Sequence, residues 1–392
     1  MEYQGSGGRP TALRVREALR PARLAPAVER LRPLAAPVLL YLASRLVTFT
    51  SMAIAAVVSE EYTFRDTLSR WDSPFYLQAA TTGYPNGVPE VGGRAIPSNI
   101  AFFPLFPALI RGVSRTTGLS PLRSGLLVAT VAGLVATLLI WLLTVRLVDR
   151  PTADRAAALF CFFPGSFVAT MVYAEPVMLA LALWCILALL SHRWFIAGLA
   201  AALATASRPN AVALVPCCLW AAAAAIRERR EWRAMVAPLL APLGMVGFLS
   251  FLWARTGEPA AWFRVQRDGW GEKFDFGVNT IRRLISVVRH PLGDINMFLA
   301  ALGLAFLVVG AIFLVRSKLP PVLLVYAAAI AVLAVGSQTI SARPRFVWTA
   351  FPLFIALASR LRGVSYTLVV AVSAALLTGL AILSTATLAA TP

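Results

Sequence analysis

The chain of 392 residues is 59% hydrophobic and only 14% charged. That balance excludes a water-soluble globular protein, in which about a quarter of the residues are charged. The formal net charge of +18 rests almost wholly on arginine, with Lys273 and Lys318 the only lysines. In so apolar a chain it reads as positive-inside topology and attraction to anionic lipids, not as a nucleic-acid interface.

Residues 1–33 carry seven arginines among prolines and alanines and are expected to form a basic cytoplasmic tail. Apolar runs near the ~20-residue bilayer-spanning length then recur along the chain. They are continuous rather than alternating, so an all-α polytopic membrane protein is expected and not a β-barrel. Residues 34–392 read as one transmembrane domain. The first span, 34–58, is too long for a signal-peptide core and reads as a retained helix. A large loop follows, 59–121. Pro85, Pro97, Pro104 and Pro107 break its apolar pieces, which are expected to lie along the membrane interface rather than cross it.

Further spans are placed at 124–148, 156–172, 174–190, 194–206, 211–226, 234–254, 295–315, 320–335, 346–358 and 364–388, about eleven transmembrane helices in all. With the N-terminus inside, the cytoplasmic connections are the tail, 146–155, 191–193, 227–233, 316–318 and 359–362. Each bears arginine, while the external segments hold most of the acids. In the second external loop, 255–290, residues Val278, Ile281, Leu284, Ile285 and Val288 keep helical spacing. Arg282, Arg283 and Arg289 fall on the neighbouring face. This predicts an interfacial helix with headgroup contacts.

Cys161, Cys185, Cys217 and Cys218 all lie inside apolar spans without metal-ligand spacing, and read as small core residues. His192 and His290 sit beside arginines at span ends, which argues against a His-based metal site or a Ser-His-Asp triad. No Asp-x-Asp pair is present, so nothing calls for a metal.

Under this topology Asp72, Glu175, Arg208, Arg343 and Arg345 all fall at external span ends or in external loops. Ionisable groups at membrane depth are costly, which makes them functional candidates. Asp72 has two readings: an N-cap, with Pro74 in the first helical turn, or a general base facing a lipid-bound substrate. Arg208 is either a snorkelling arginine or a phosphate clamp, and Arg343 and Arg345 share those alternatives. Glu175, before Pro176, either favours a helix dipole or hydrogen-bonds within a site. Trp71, Phe75, Tyr76 and Tyr84 can stack on sugar faces or belong to an interfacial aromatic belt.

The order of short segments carries more. Arg70-Trp71-Asp72-x-x-x-Tyr76, Gly83-Tyr84 and Ala101-Phe102-Phe103-Pro104-x-x-Pro107 resemble the PIG-V-like mannosyltransferases, the family of GPI mannosyltransferase II. The resemblance continues through Phe162-Phe163-Pro164-Gly165-Ser166 with Tyr173-Ala174-Glu175, and Arg193-Trp194-x-x-Ala197-Gly198-Leu199. It ends with Ser207-Arg208-Pro209-Asn210, then Arg343-Pro344-Arg345-Phe346 with Phe351-Pro352-Leu353. The set spans residues 70–355. Departures are Ala174 where the family has Ser, Pro176 after Glu175, Pro209 for Ser, Ala211 for Gly, and Phe75 where some members have His.

The resemblance implies a GT-C glycosyltransferase fold. It also implies inverting transfer of a mannosyl residue from a polyprenyl-phosphate donor to a membrane glycolipid or glycan acceptor outside the plasma membrane. Asp72 would be the catalytic base. From the residues themselves, Trp71, Tyr76, Tyr84, Glu175, Arg208, Arg343 and Arg345 are expected to bind substrate or donor, and the helix within 277–289 to cover the donor. No cofactor is implied beyond the donor lipid. Two other classes remain open at this point: a glycolipid transporter or flippase, which would show symmetric halves with matching broken helices, and a non-catalytic subunit of a glycosylation complex.

Overall fold

Apolar runs become helices close to where hydropathy places them. A computed structural model describes residues 32–59, 63–289, 295–338 and 343–387. The tail expected at 1–33 falls outside these residues except for its last two, as do His290 and the end of the span expected at 364–388.

Among the described residues, six helices are long and apolar enough to cross a membrane: Ala35–Ser59, Pro121–Leu147, Pro209–Arg229, Trp232–Thr256, Ile295–Val315 and Gly363–Ala386. A seventh crossing is counted if Pro164–Thr170 and Glu175–Leu189, bent by 108° at their junction, form one span. Trp194–Thr205 and Pro321–Gly336 are apolar but shorter. The protein is therefore a multi-pass membrane protein.

Some of the expected spans are not continuous helices. Along 156–172, helix Arg150–Phe162 stops at Phe163, which is extended ahead of Pro164, and a 3-10 turn takes over. Proline removes a backbone donor and forces the residue before it out of helical conformation. Along 346–358, Pro344–Trp348 and Pro352–Arg360 are separate helices, each with proline in its first turn. Both breaks border the charged residues discussed below.

Helix starts follow sequence chemistry. Asp149 accepts the Thr152 amide at 2.7 Å, and Ser120 caps Pro121–Leu147. Helix Glu175–Leu189 packs along both Pro121–Leu147 and Trp194–Thr205. The main core joins these helices with Arg150–Phe162, Leu214–Arg229, Pro321–Gly336 and Pro352–Arg360. A second, aromatic cluster lies beneath the first loop, where Tyr76, Phe102, Phe103 and Phe106 meet Phe248 and Leu252.

The first loop is built from short pieces: helices Phe64–Leu68, Ser73–Thr81 and Leu105–Thr117, and a hairpin pairing Glu90–Val91 with Arg94–Ala95. Its hairpin is tied to the second loop. Arg264 bonds Glu258 at 2.9 Å and 3.0 Å, the Gly93 carbonyl at 3.1 Å, and Glu90. Gly269 lies so close to the Ile96–Pro97 backbone that a Cβ there would stand 2.8 Å from the Pro97 nitrogen. The two loops that flank the site are thus fastened to each other.

Candidate active site

Asp72 begins helix Ser73–Thr81, with Pro74 in the first turn, but its side chain makes no cap hydrogen bond. The capping alternative is therefore not the one the fold uses. The carboxylate instead accepts from Arg345 Nη1 at 2.6 Å. The Asp72 backbone N–H donates to the Tyr173 hydroxyl at 3.2 Å. The preceding Trp71 has φ 62°, a left-handed conformation costly for a bulky side chain. Its Nε1–H donates to the Ser384 carbonyl at 2.9 Å, and Arg70 bonds the Thr385 carbonyl. Helix Gly363–Ala386 thereby secures the turn that presents Asp72.

Glu175 opens helix Glu175–Leu189 and is completely buried. Arg208 Nη1 stands 2.8 Å from its Oε2, and Arg345 Nη1 stands 3.8 Å from its Oε1. Neither Glu175 oxygen has a well-aligned hydrogen bond, so these are charge contacts first. Arg208 also donates to the Tyr76 hydroxyl at 3.3 Å. With 7% exposure, Arg208 does not snorkel. Phe346 lies beneath both guanidiniums, 4.7 Å from Arg345 and 5.6 Å from Arg208, and Tyr173 lies 5.3 Å from Arg345. Cation–π contact and carboxylate pairing together offset the cost of burying these charges.

The four charged residues therefore form one alternating chain, Asp72–Arg345–Glu175–Arg208, drawn from four separate stretches of sequence. Burial opposes the charge on Arg345, but Asp72, Tyr173 and Glu175 outweigh it and hold the guanidinium protonated above its ordinary range. For Arg208, burial is likewise outweighed, by Glu175 and then Tyr76. Burial also pushes the Tyr76 hydroxyl up, out of reach of acid–base chemistry near neutral pH. Arg343, more open than Arg345, is lowered to about 10 by burial and by its like-charged neighbour Arg345, and so stays cationic near neutrality.

The predicted aromatic residues divide differently. Tyr76 is buried, with ring edges on Phe102 and Phe106, and reaches the cluster only through its hydroxyl. The Tyr84 hydroxyl is committed to the Phe102 carbonyl at 2.7 Å, and its ring packs against Phe248 and Phe251. Trp71 acts through its indole N–H as an anchor. Of the three, Tyr76 is buried, while Trp71 and Tyr84 are half-buried. Tyr173 and Phe346 lie within the family-like segments and join the site as cation–π partners. Their signal was adjacency: each lies within two residues of a charged candidate. Among the described residues, no three His, Cys, Asp or Glu side chains could together hold a metal ion.

Comparison with known proteins adds an independent line. A search of curated proteins finds no matching sequence. Among solved structures, the chain is similar to ArnT from Cupriavidus metallidurans bound to undecaprenyl phosphate. The TM-score is 0.53 at 15% identity, covering 85% of this chain and 61% of that one. It is also similar to an Archaeoglobus fulgidus oligosaccharyltransferase, with TM-score 0.45 at 16% identity, covering 88% of this chain and 56% of that one. The chain thus spans about three fifths of the ArnT length. The likeness to ArnT is one of fold, the polytopic GT-C architecture. The family model for mannosyltransferase (PIG-V) matches residues 36–251, a segment that holds Asp72, Glu175 and Arg208, whereas Arg345 lies beyond it. The match covers more than half of the chain, which therefore belongs to the PIG-V mannosyltransferase family.

Proposed function

We propose that the protein is a glycosyltransferase that moves a mannosyl residue from a polyprenyl-phosphate donor to a lipid-linked or glycan acceptor. The reaction takes place on the external face of the plasma membrane and inverts the anomeric centre. Family membership supports the sugar, and the shared fold with ArnT, whose structure holds undecaprenyl phosphate, supports the class of donor.

The observation that carries the reading is the Asp72 carboxylate, held at 2.6 Å by Arg345 and only partly buried. Arg345 engages Oδ2, and among the described residues no other side chain bonds to this carboxylate. Oδ1 can then accept the proton of an acceptor hydroxyl as that oxygen attacks the anomeric carbon. The bond from the anomeric carbon to the phosphate oxygen breaks, and the electron pair leaves with the polyprenyl phosphate. The monoanionic diester becomes a dianionic monoester, so positive charge nearby lowers the barrier. Arg343, the most open of the three arginines, is assigned to that phosphate. Arg208 and Arg345 are assigned to holding the two carboxylates in place.

The exposed apolar face of helix Val278–Arg289, with its arginines, is assigned to anionic headgroups beside the donor. The test is transfer from labelled polyprenyl-phosphate mannose to a membrane glycolipid extract, with purified protein in nanodiscs. Wild type is expected to form product, and Asp72→Asn to fold yet lose at least about a hundredfold in rate. Equal product from both would remove Asp72 from the mechanism.

A further inference from the structure

Gly165 stands in the break between Arg150–Phe162 and Glu175–Leu189, where the chain passes beneath the Pro344–Arg345 peptide. A Cβ added at Gly165 would lie 2.6 Å from the Arg345 backbone nitrogen and closer still to the Pro344 carbonyl, whereas ordinary contact begins near 3.4 Å. The obstacle is backbone, which cannot rotate aside as a side chain can.

Both sides of this contact are fixed. Arg45 lies within membrane helix Ala35–Ser59 with 3% exposure. It donates to the Ser166 carbonyl at 2.6 Å, the Ser166 hydroxyl at 2.9 Å and the Cys161 carbonyl at 3.2 Å. The Ser166 hydroxyl in turn donates to the Cys161 carbonyl at 2.6 Å. A guanidinium at membrane depth is costly unless its donors are used, and here most of them go to one turn. Opposite, Trp348 Nε1 donates to the Phe160 carbonyl at 3.0 Å and holds helix Pro344–Trp348 down.

We propose that Gly165 is a positioning residue. By lacking a side chain it lets the Arg345 backbone seat where its guanidinium reaches Asp72 and Glu175, and Arg45 pins the turn that makes this seat. The catalytic meaning rests on the function proposed above; the placement of Arg345 does not. A methyl group at Gly165 would move the Arg345 backbone by about 1 Å, because close-packed interiors leave no void to absorb it. The 2.6 Å pair with Asp72 would then part.

The test is a double-mutant cycle of Gly165→Ala and Asp72→Asn in the full-length protein in nanodiscs, read by thermal unfolding, which needs no substrate. Asp72→Asn is expected to lower the unfolding temperature of the wild type, and to lower that of Gly165→Ala by at most half as much. Equal drops in both backgrounds would overturn the proposal. If Gly165→Ala does not fold, Arg45→Lys, which keeps the charge and loses the guanidinium fork, takes its place in the cycle with the same expectation. In the transfer assay, Gly165→Ala is expected to reduce kcat about a hundredfold, as misplacement by about 1 Å can, with the acceptor KM within threefold. Unchanged kcat in a destabilised variant would also overturn it. A wild type without transfer activity would count against the proposed reaction alone, because the unfolding cycle decides the placement of Arg345 by itself.

Discussion

Glu175 is completely buried, and among the described residues its charge is met by arginines, at 2.8 Å and 3.8 Å. Removing one member of a buried pair leaves the other uncompensated. Arg208→Ala is therefore expected to cost about 3–5 kcal/mol, seen as a large drop in unfolding temperature, while the double variant Glu175→Gln/Arg208→Met recovers most of it. Tyr84→Phe provides a contrast. It should lose about 1 kcal/mol with the Phe102 hydrogen bond and leave transfer within threefold of wild type, because that hydroxyl bonds scaffold and not carboxylate. Sequence could flag Asp72, Glu175, Arg208 and Arg345 because charge in an apolar run needs a reason. It could not choose between a helix cap and an ion pair for Asp72, since the partner is 273 residues away. Arg45 leaves little trace in the sequence, because one arginine in a long hydrophobic run barely alters the average hydropathy.

Among whole elements, breaks matter more than spans. Hydropathy found the straight helices within a few residues, because burial against lipid and neighbours depends on composition summed over many positions. It read 156–172 and 346–358 as continuous, although Pro164 and Pro352 stand in them. Interrupted backbone at membrane depth is tolerated where it is buried in protein, and both interruptions lie against the charged cluster. Helix Val278–Arg289 was legible from its spacing, and its apolar face is exposed, with Ile281 61% and Val288 78% exposed. If that face rests in lipid, Val288→Cys should react with a water-soluble maleimide at least about tenfold more slowly in nanodiscs than Arg282→Cys on the neighbouring face. The four native cysteines are buried and should contribute little background. Equal rates would mean that the helix stands clear of the membrane.

Across the whole molecule, the proposed orientation makes a separate prediction. In intact cells, Gln78→Cys, at an exposed position near Asp72, should be labelled by a membrane-impermeant maleimide. Glu228→Cys, exposed at the end of helix Leu214–Arg229, should be labelled only after the cells are opened. The reverse pattern would place the site on the cytoplasmic face and sink the external assignment. That orientation is read from arginine-bearing connections that alternate with acid-bearing ones. The gathering of four stretches into one site was not, because no local pattern records which helix ends meet.

The bonds from Arg70 and Trp71 to the carbonyls of Thr385 and Ser384 also bear on biosynthesis. The turn that presents Asp72 is made early by the ribosome, but its anchor comes more than three hundred residues later. Until helix Gly363–Ala386 has been inserted, a nascent chain holds Asp72 without its brace, and Arg345 has only just emerged. Each molecule would therefore stay inert until that helix is in place. The cell would then be spared half-built enzymes.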